Sequence, residues 1–306
     1  MALSSSSLRK AVVAGASGFV GSALVPALQA DGWQVTSLVR SQPKSADEVQ
    51  WNPAEHVIDI DVIAEADVVI NLSGASIAGG WWTGKRKDII LQSRLDATTT
   101  LAEAIKRADS KPSVLISTSG IGFYGDRPNE VLDEGSASGY GFLPEVCQQW
   151  EQAADPAREA GVRVVHPRFG LVLSGTGGML PLITIPFRFG LGGKIGGDQH
   201  MGWVDLHDLV RMFPFLIEHE EIEGAVNAVA PGSVTNAEFT RAMGKALNRP
   251  TVIPVPKAIA GSLGGGLVEE LLLADQHVVP GVLDAGGFSF ERPTIETSLK
   301  HAFSKD

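Results

Sequence analysis

Residues Lys10 to Gly21 read K-A-V-V-A-G-A-S-G-F-V-G, and the order of those residues decides the fold. Ala11 to Ala14 is a short apolar run of the kind a buried parallel strand requires. Gly15 ends it, and Gly18 and Gly21 follow at intervals of three. Phe19 to Leu28 then reads as a helix, and Val35 to Val39 as a second strand. A glycine-rich turn between strand and helix lets backbone N–H groups approach a diphosphate, and the helix N-terminus adds partial positive charge. Gly15, Ala16, Ser17, Gly18, Phe19 and Val20 are therefore the expected diphosphate-binding residues. The heptapeptide alone is a weak signal, but here the flanking strand, helix and second strand fall where the mechanism needs them.

The end of the second strand selects the dinucleotide. An acidic residue there holds the ribose 2′-hydroxyl of NAD, whereas a basic residue accommodates a 2′-phosphate. This chain has Arg40 followed by Ser41. A guanidinium carries a permanent charge and a bidentate fork that suits phosphate, so NADP(H) is the expected cofactor.

The remainder of the chain narrows the class. A length of 306 residues, 44% hydrophobic content and 35 glycines fit a well-buried, loop-rich α/β protein. A net charge of −10 argues against a nucleic-acid partner, and Lys85-Arg86-Lys87 is too short a cluster to reverse that. Cys147 is the single cysteine, so an internal disulfide is impossible and no metal-binding constellation stands out. Met1 to Leu8 lacks the order of a signal peptide, and no apolar run reaches membrane-spanning length. A cytoplasmic protein without membrane contact, acting on a small molecule as monomer or homodimer, is the expectation.

Strands and helices alternate through the first half. Val68 to Leu72, Val114 to Ser117 and Val162 to Val165 read as strands, with a weaker one over Glu48 to Trp51. Asp88 to Lys106 reads as a long helix whose buried face draws on Ile89, Ile90, Leu95, Leu101 and Ile105. Glu145 to Ala160 reads as one helix. This alternation predicts a Rossmann-type α/β fold with a doubly wound parallel sheet and right-handed crossovers. After Ser174 the texture changes, with helices expected over Val204 to Glu218, Asn236 to Leu247 and Leu267 to Ala274. Strands are expected over Ala225 to Val229 and Val252 to Val255. The predicted organisation is a flexible stub over residues 1–9, a dinucleotide-binding domain over 10–174 and a smaller C-terminal α/β lobe over 175–306. The lobe is partly interleaved with the sheet and leaves a cleft beside the glycine-rich turn.

Taken together, these segments resemble the extended, atypical short-chain dehydrogenase/reductase superfamily. More narrowly, the chain is similar to its epimerase-like branch, described as nucleoside-diphosphate sugar epimerase or SulA-like cell-division inhibitor. G-A-S-G-F-V-G at 15–21, L-V-R at 38–40 and V-I-N-L-S-G-A at 69–75 are general to the superfamily. W-W-T-G-K-R-K-D-I-I-L-Q-S-R at 81–94, P-F-R-F-G-L-G-G-K-I-G at 186–196, W-V-D-L-H-D at 203–208 and G-G-F-S-F at 286–290 are narrower. The resemblance implies NADP(H) along the C-terminal ends of the strands. It places Leu72 and Ser73 on the adenosine side, Gly74 at close approach and Val172 near the nicotinamide. Ser117 joins the same set. Arg94 reads equally as a cofactor contact and as a salt-bridged surface arginine.

The superfamily's chemistry rests on a Ser, a Tyr and a Lys four residues later, the ammonium lowering the phenol pKa so that it can move a proton. Counting back from Glu151 in Trp150-Glu151, the Lys position is Cys147 and the Tyr position Leu143, while the Ser position falls on Gly120. Neither Cys nor Leu can do that work. Ser119 and Tyr124 are the substitute catalytic candidates, with Tyr124 expected to face the cleft mouth. Trp82 and Phe187 are expected to line the cleft. Arg168 reads either as an anchor for an anionic substrate group or as a buried arginine holding loops together. An NADP(H)-dependent oxidoreductase, a non-catalytic NADP(H) sensor and a nucleotide-sugar epimerase or dehydratase all stay open.

Overall fold

A computed structural model describes residues 8–78, 80–253, 266 and 268–304. Residues 1–7 of the N-terminal stub expected over 1–9, the distal half of the strand expected over Val252 to Val255, and Leu267 lie outside the described residues. In chain order the first strands are β1 (Lys10–Ala14), β2 (Gln34–Val39), β3 (Glu48–Gln50), β4 (Val68–Asn71), β5 (Val114–Ser117), β6 (Ser119–Gly120), β7 (Val131–Leu132) and β8 (Arg163–Phe169). The later ones are β9 (Leu171–Leu173), β10 (His200–Met201), β11 (Trp203–Asp205), β12 (Gly224–Ala228), β13 (Val234–Thr235) and β14 (His277–Val278). The principal helices are α1 (Gly21–Ala30), α2 (Ile60–Ala64), α3 (Gly84–Arg107), α4 (Phe142–Gln152), α5 (Asp155–Glu159), α6 (Leu180–Arg188), α7 (Leu206–Glu218) and α8 (Asn236–Leu247). Two further helices, Gly281–Ala285 and Ile295–Phe303, close the described chain.

The chain groups into two compact units, each discontinuous in sequence: 1–74 with 92–117 and 152–165, and 75–91 with 118–151 and 166–306. In the first unit the strands run β3-β2-β1-β4-β5, with the first half of β8 beside β5, all parallel. This is the strand order of a doubly wound dinucleotide fold. Residues Ala11 to Ala14 of β1 and the whole of β4 and β5 are buried, because helices cover both faces of such a sheet and favour near-continuous apolar runs. The core joins Val12, Leu38 and Val69 to Leu101 and Ile105 of α3. Each fully buried Leu or Ile of this kind contributes about 1.5–3 kcal/mol.

The second unit pairs β6 with the second half of β8 in parallel, Ser119 opposite Arg168 and Gly120 opposite Phe169, and β12 neighbours β8. β9 pairs with β11 in parallel and β10 with β13 antiparallel. Its larger apolar cluster joins Leu173, Leu180, Phe187, Trp203, Phe239, Met243 and Leu299.

Three expectations are corrected. The helix expected over Glu145 to Ala160 divides into α4 and α5. Pro156 sits in the first turn of α5, where its missing N–H is harmless, whereas inside one continuous helix it would remove a hydrogen bond. The helix expected from Val204 begins at Leu206, because Trp203–Asp205 is a strand and Asp205 caps α7 by accepting from the His207 N–H at 2.8 Å. The buried face of α3 excludes Ile89, which is 43% exposed. By contrast, α8 spans the expected Asn236–Leu247, and Thr235 caps it with a full capping box to Glu238.

Candidate functional site

The glycine-rich turn lies wholly in the first unit, at the C-terminal end of β1. Gly15 has φ +82°, and a β-carbon there would stand 2.8 Å from the Leu72 carbonyl carbon. At Gly21 a β-carbon would stand 2.3 Å from the Gly15 carbonyl oxygen. Only glycine lets β1, the β4 end and the first turn of α1 approach so closely. The turn closes with the Gly18 N–H donating to the Gly15 carbonyl at 2.9 Å. Among the described residues, the N–H groups of Ala16, Ser17, Phe19 and Val20 find no acceptor, and Ser17 and Gly18 are exposed. The result is a row of open donors at the positive end of a helix with no acidic residue in its first turn. A diphosphate fits that donor set.

The neighbouring strand ends complete the surface. Arg40 and Ser41 are exposed just past β2. Among the described residues Arg40 forms no ion pair, and only its carbonyl is engaged, by Gln50 Nε2 at 3.3 Å. Asn71, the last residue of β4, is fully buried. Its Nδ2 donates to Thr98 Oγ1 at 2.9 Å and to Ser117 Oγ at 3.3 Å. Its Oδ1 accepts from the Ser73 N–H at 3.0 Å. One side chain thus ties β4, β5 and α3 together and shapes the Leu72-Ser73-Gly74 turn. Arg94 is 6% exposed, and its guanidinium packs on Gly74, where a β-carbon would stand 3.2 Å from Cζ. Arg94 is therefore not a surface arginine. Sequence reasoning missed Asn71. The available signal was a single amide closing the otherwise apolar run V-V-I-N.

The catalytic candidates lie in the second unit. Two of the three superfamily positions touch there: Cys147 Sγ is 3.5 Å from the Gly120 carbonyl, while Leu143 packs on Gly122, where a β-carbon would stand 3.0 Å from Leu143 Cβ. Leu143, Cys147 and Glu151 recur every four residues on α4 and share one face. Glu151 ends this stripe and anchors a buried polar network. Arg168, 4% exposed, donates from Nε and Nη2 to the two Glu151 oxygens at 2.8 Å each. Ser119 Oγ donates to the same carboxylate at 2.7 Å. Arg168 Nη1 also donates to the Tyr124 hydroxyl at 3.0 Å, and that hydroxyl donates to Asn227 Oδ1 at 2.7 Å. The Asn227 N–H is held by Glu134 at 2.9 Å, and the Arg168 guanidinium stacks on Phe123 at 3.5 Å.

The electrostatics of this network are set by burial and by one ion pair. Burial pushes the Glu151 carboxyl up, but the Arg168 guanidinium outweighs it and holds the group below the usual carboxylate range. Burial dominates for Tyr124 and raises its phenol above the ordinary value despite Arg168. Tyr124 is 0% exposed, which corrects its expected position at a cleft mouth: donation to Asn227 and acceptance from Arg168 draw the hydroxyl inward. Arg168 is the buried arginine that holds segments together, since its charge is already answered by Glu151.

Phe187 is part of the apolar core, 4% exposed, with Gly192 packed against its ring; it is not a cleft-lining ring. Trp82 is half-buried, donates to the Ile77 carbonyl at 3.0 Å and meets Phe142 edge-on at 5.1 Å. Val172 is half-buried on β9, opposite Val204 of β11. His207 pairs with Glu291 at 2.7 Å. Among the described residues there is no cluster of His, Cys, Asp or Glu fit to hold a metal, and no helix long and apolar enough to cross a membrane.

Fold and site together define a Rossmann-type protein with a dinucleotide-binding glycine turn. The chain belongs to the NAD dependent epimerase/dehydratase family, whose profile matches residues 11–228, and residues 255–302 match a domain of unknown function, DUF1731. It is 40% identical over 300 residues to an epimerase family protein of Mycobacterium leprae, covering 97% of each chain. The crystal structure of human epimerase family protein SDR39U1 with NADPH superposes with a TM-score of 0.84 at 31% identity, over 96% of this chain and 98% of that one. A nucleoside-diphosphate sugar epimerase from Corynebacterium glutamicum superposes with a TM-score of 0.79 at 36% identity, over 97% of this chain and 58% of that longer one.

Proposed function

We propose that this chain is an NADP(H)-binding oxidoreductase of the epimerase family acting on a small carbonyl or alcohol substrate. The observation that carries the reading is the set of open amides of Ala16, Ser17, Phe19 and Val20 in a turn where Gly15 and Gly21 leave no room for a side chain. In this reading those amides take the diphosphate. Arg40 and Ser41 take the 2′-phosphate. Leu72, Ser73 and Gly74, fixed by Asn71 and Arg94, flank the adenosine, and Ser117 belongs to the same edge. Bound there, the nicotinamide supplies or accepts a hydride. The NADPH complex of the human relative, with near-complete coverage, supports the cofactor assignment. The single cysteine suits a cytoplasmic setting.

The proton step sets this chain apart from the superfamily's usual arrangement. Leu143 and Cys147 stand where a phenol and an ammonium are needed, and Tyr124 is held inside a saturated network. Ser119 is the remaining hydroxyl beside those positions, oriented by Glu151. The same vacancy favours a second reading, a protein that binds NADP(H) and reports its reduction state without turnover.

Titration of the purified chain with NADPH and NADH, followed by nicotinamide fluorescence, tests the binding reading. Tighter NADPH binding is expected, and equal or absent binding of both overturns it. Consumption of NADPH across a panel of aldehydes, ketones and nucleotide sugars separates the two readings: turnover supports the oxidoreductase, and none with any of them favours the sensor.

A further inference from the structure

The stretch that matches the domain of unknown function, residues 255–302, is tied to the segment carrying Tyr124 through a short run, Asp275 to Val282. The Asp275 N–H donates to Asp126 Oδ1 at 2.7 Å, and the Arg127 N–H donates to the Asp275 carbonyl at 2.9 Å. β14 lies parallel to β7, and just beyond it the Val279 N–H donates to the Leu132 carbonyl at 2.9 Å. The Val282 N–H donates to Glu134 Oε1 at 3.2 Å. Asn227 Nδ2 donates to the Val279 carbonyl at 3.0 Å, and Asn227 also accepts from the Tyr124 hydroxyl. Earlier in the same stretch, Glu270 accepts from the Phe142 and Leu143 N–H groups at 3.2 and 2.7 Å and so holds the start of α4.

Gln276 stands at the centre of this run. It is buried, and its Nε2 donates to the Ile121 carbonyl at 3.1 Å and to the Gly125 carbonyl at 3.0 Å. Those two carbonyls bracket a single 3₁₀ turn, Ile121–Tyr124. A turn of that length closes on few bonds of its own; here the Gly125 N–H donates to the Gly122 carbonyl at 3.1 Å. Both protons of the Gln276 amide are used, so one side chain fastens both ends of the turn.

The turn lies against the α4 face on which the superfamily positions fall. The Gly120 carbonyl, at its entry, accepts from Cys147 Sγ at 3.5 Å, and Cys147 is buried. Leu143 packs on Gly122. Tyr124, the last residue of the turn, carries the hydroxyl held by Arg168 and Asn227.

We infer that this C-terminal stretch is an intramolecular clamp on the Ile121–Tyr124 turn, with Gln276 as its positioning residue. By fixing the carbonyls of Ile121 and Gly125 it keeps Tyr124 in the Glu151–Arg168 network and Cys147 sealed beneath the turn. A clamp of this kind governs a local opening of the native protein, distinct from global unfolding. The inference goes beyond the nucleotide reading. Its readouts use neither nucleotide nor substrate, so its failure leaves that reading untouched.

The test follows modification of Cys147, the single cysteine, by dithionitrobenzoate in the full native chain at increasing urea. Local opening exposes little surface, so the rate is expected to be nearly flat at low urea and to steepen only near the global transition. Gln276→Met keeps the length of the side chain and removes both donors. The flat part of the profile is expected to rise roughly ten- to a hundredfold, as the loss of two hydrogen bonds implies. Asp126→Ala, at an exposed position, removes the acceptor of the Asp275 N–H and should raise the rate less. Asp126→Asn keeps an acceptor oxygen and should stay near wild type. A rate that climbs with urea as steeply as global unfolding, or a wild-type rate in folded Gln276→Met, overturns the clamp. If Gln276→Met does not fold, an unchanged rate in Asp126→Ala overturns it instead.

Discussion

The nucleotide turn of the first unit and the Glu151 network of the second are both polar, and they are built on opposite principles. In the turn, glycines at 15 and 21 clear space for backbone approach, and the amides of Ala16, Ser17, Phe19 and Val20 point at no described partner. In the network, Arg168, Glu151, Ser119, Tyr124 and Asn227 satisfy one another at 2.7 to 3.0 Å. Open donors cost little where solvent reaches them and become binding energy when an anion arrives. Paired groups in a buried setting rigidify the unit. The contrast therefore separates a surface poised to bind from an interior poised to hold still.

The largest break in that comparison comes from closing the open side. Gly18 is exposed, and a β-carbon there would stand 3.1 Å from the Gly15 carbonyl oxygen. Gly18→Asp places a carboxylate among the amides that the diphosphate needs. NADPH binding is expected to fall below detection by fluorescence titration, while far-UV circular dichroism and thermal midpoint stay close to wild type. Wild-type affinity in a folded Gly18→Asp protein would show that the turn does not hold the dinucleotide.

The second break opens the closed side. Arg168→Met keeps the bulk of the side chain and leaves the Glu151 carboxylate, 14% exposed, buried without its cation. Removing one partner of a buried pair costs about 3–5 kcal/mol, read as a lower urea midpoint at unchanged slope. The pH dependence follows from the same pair. The folded pKa of Glu151 lies below its unfolded value, so its contribution is fully present above the unfolded value of about 4.3. It is lost as pH falls through the depressed folded value. Glu151→Gln should therefore be less stable at neutral pH and show a shallower decline in acid than wild type.

These two regions were unequally legible from the amino-acid order. The turn was readable because its determinants are local: an apolar run, three glycines and Arg40 within a single β-α-β unit. The network was not, because Glu151, Arg168 and Asn227 are far apart in sequence and only the fold brings them to Tyr124. Counting along α4 put Leu143 and Cys147 on one face, and that face meets Gly122 and Gly120, since helical spacing carries position. It could not show that Tyr124 points inward. Pro156 and Asp205 mark the same limit for element boundaries: each carried a start signal that continuous periodicity obscured.

A smaller effect sharpens the cofactor side. Arg40 is exposed at the β2 end and is not engaged by a described carboxylate. A charge-assisted contact to a 2′-phosphate contributes about 1.5–3 kcal/mol, or roughly ten- to a hundredfold in affinity. Arg40→Ala should lose that much for NADPH and leave NADH unchanged, measured by parallel titrations. An equal loss for both nucleotides would assign Arg40 to the diphosphate or to the fold.

The smallest change is the most discriminating for chemistry. Tyr124→Phe deletes one oxygen from a fully buried site and leaves Asn227 Oδ1 and Arg168 Nη1 short of one partner each. The expected cost is about 1–2 kcal/mol of stability, because Arg168 keeps both bonds to Glu151. If Tyr124 only completes the network, kcat with any substrate that wild type accepts should change less than roughly threefold, well under the 10²–10⁴-fold typical of a lost general acid. The pH profile should also keep its shape. A proton donor predicts the reverse: a large fall in kcat with KM and stability nearly intact, and loss of the alkaline limb. Burial has raised the phenol pKa, so a free-phenol donor in this position would stay protonated at neutral pH and release its proton less readily than an exposed tyrosine. Ser119→Ala on the same substrate then provides the counterpart, since Ser119 donates to Glu151, the next residue on the α4 stripe after Leu143 and Cys147.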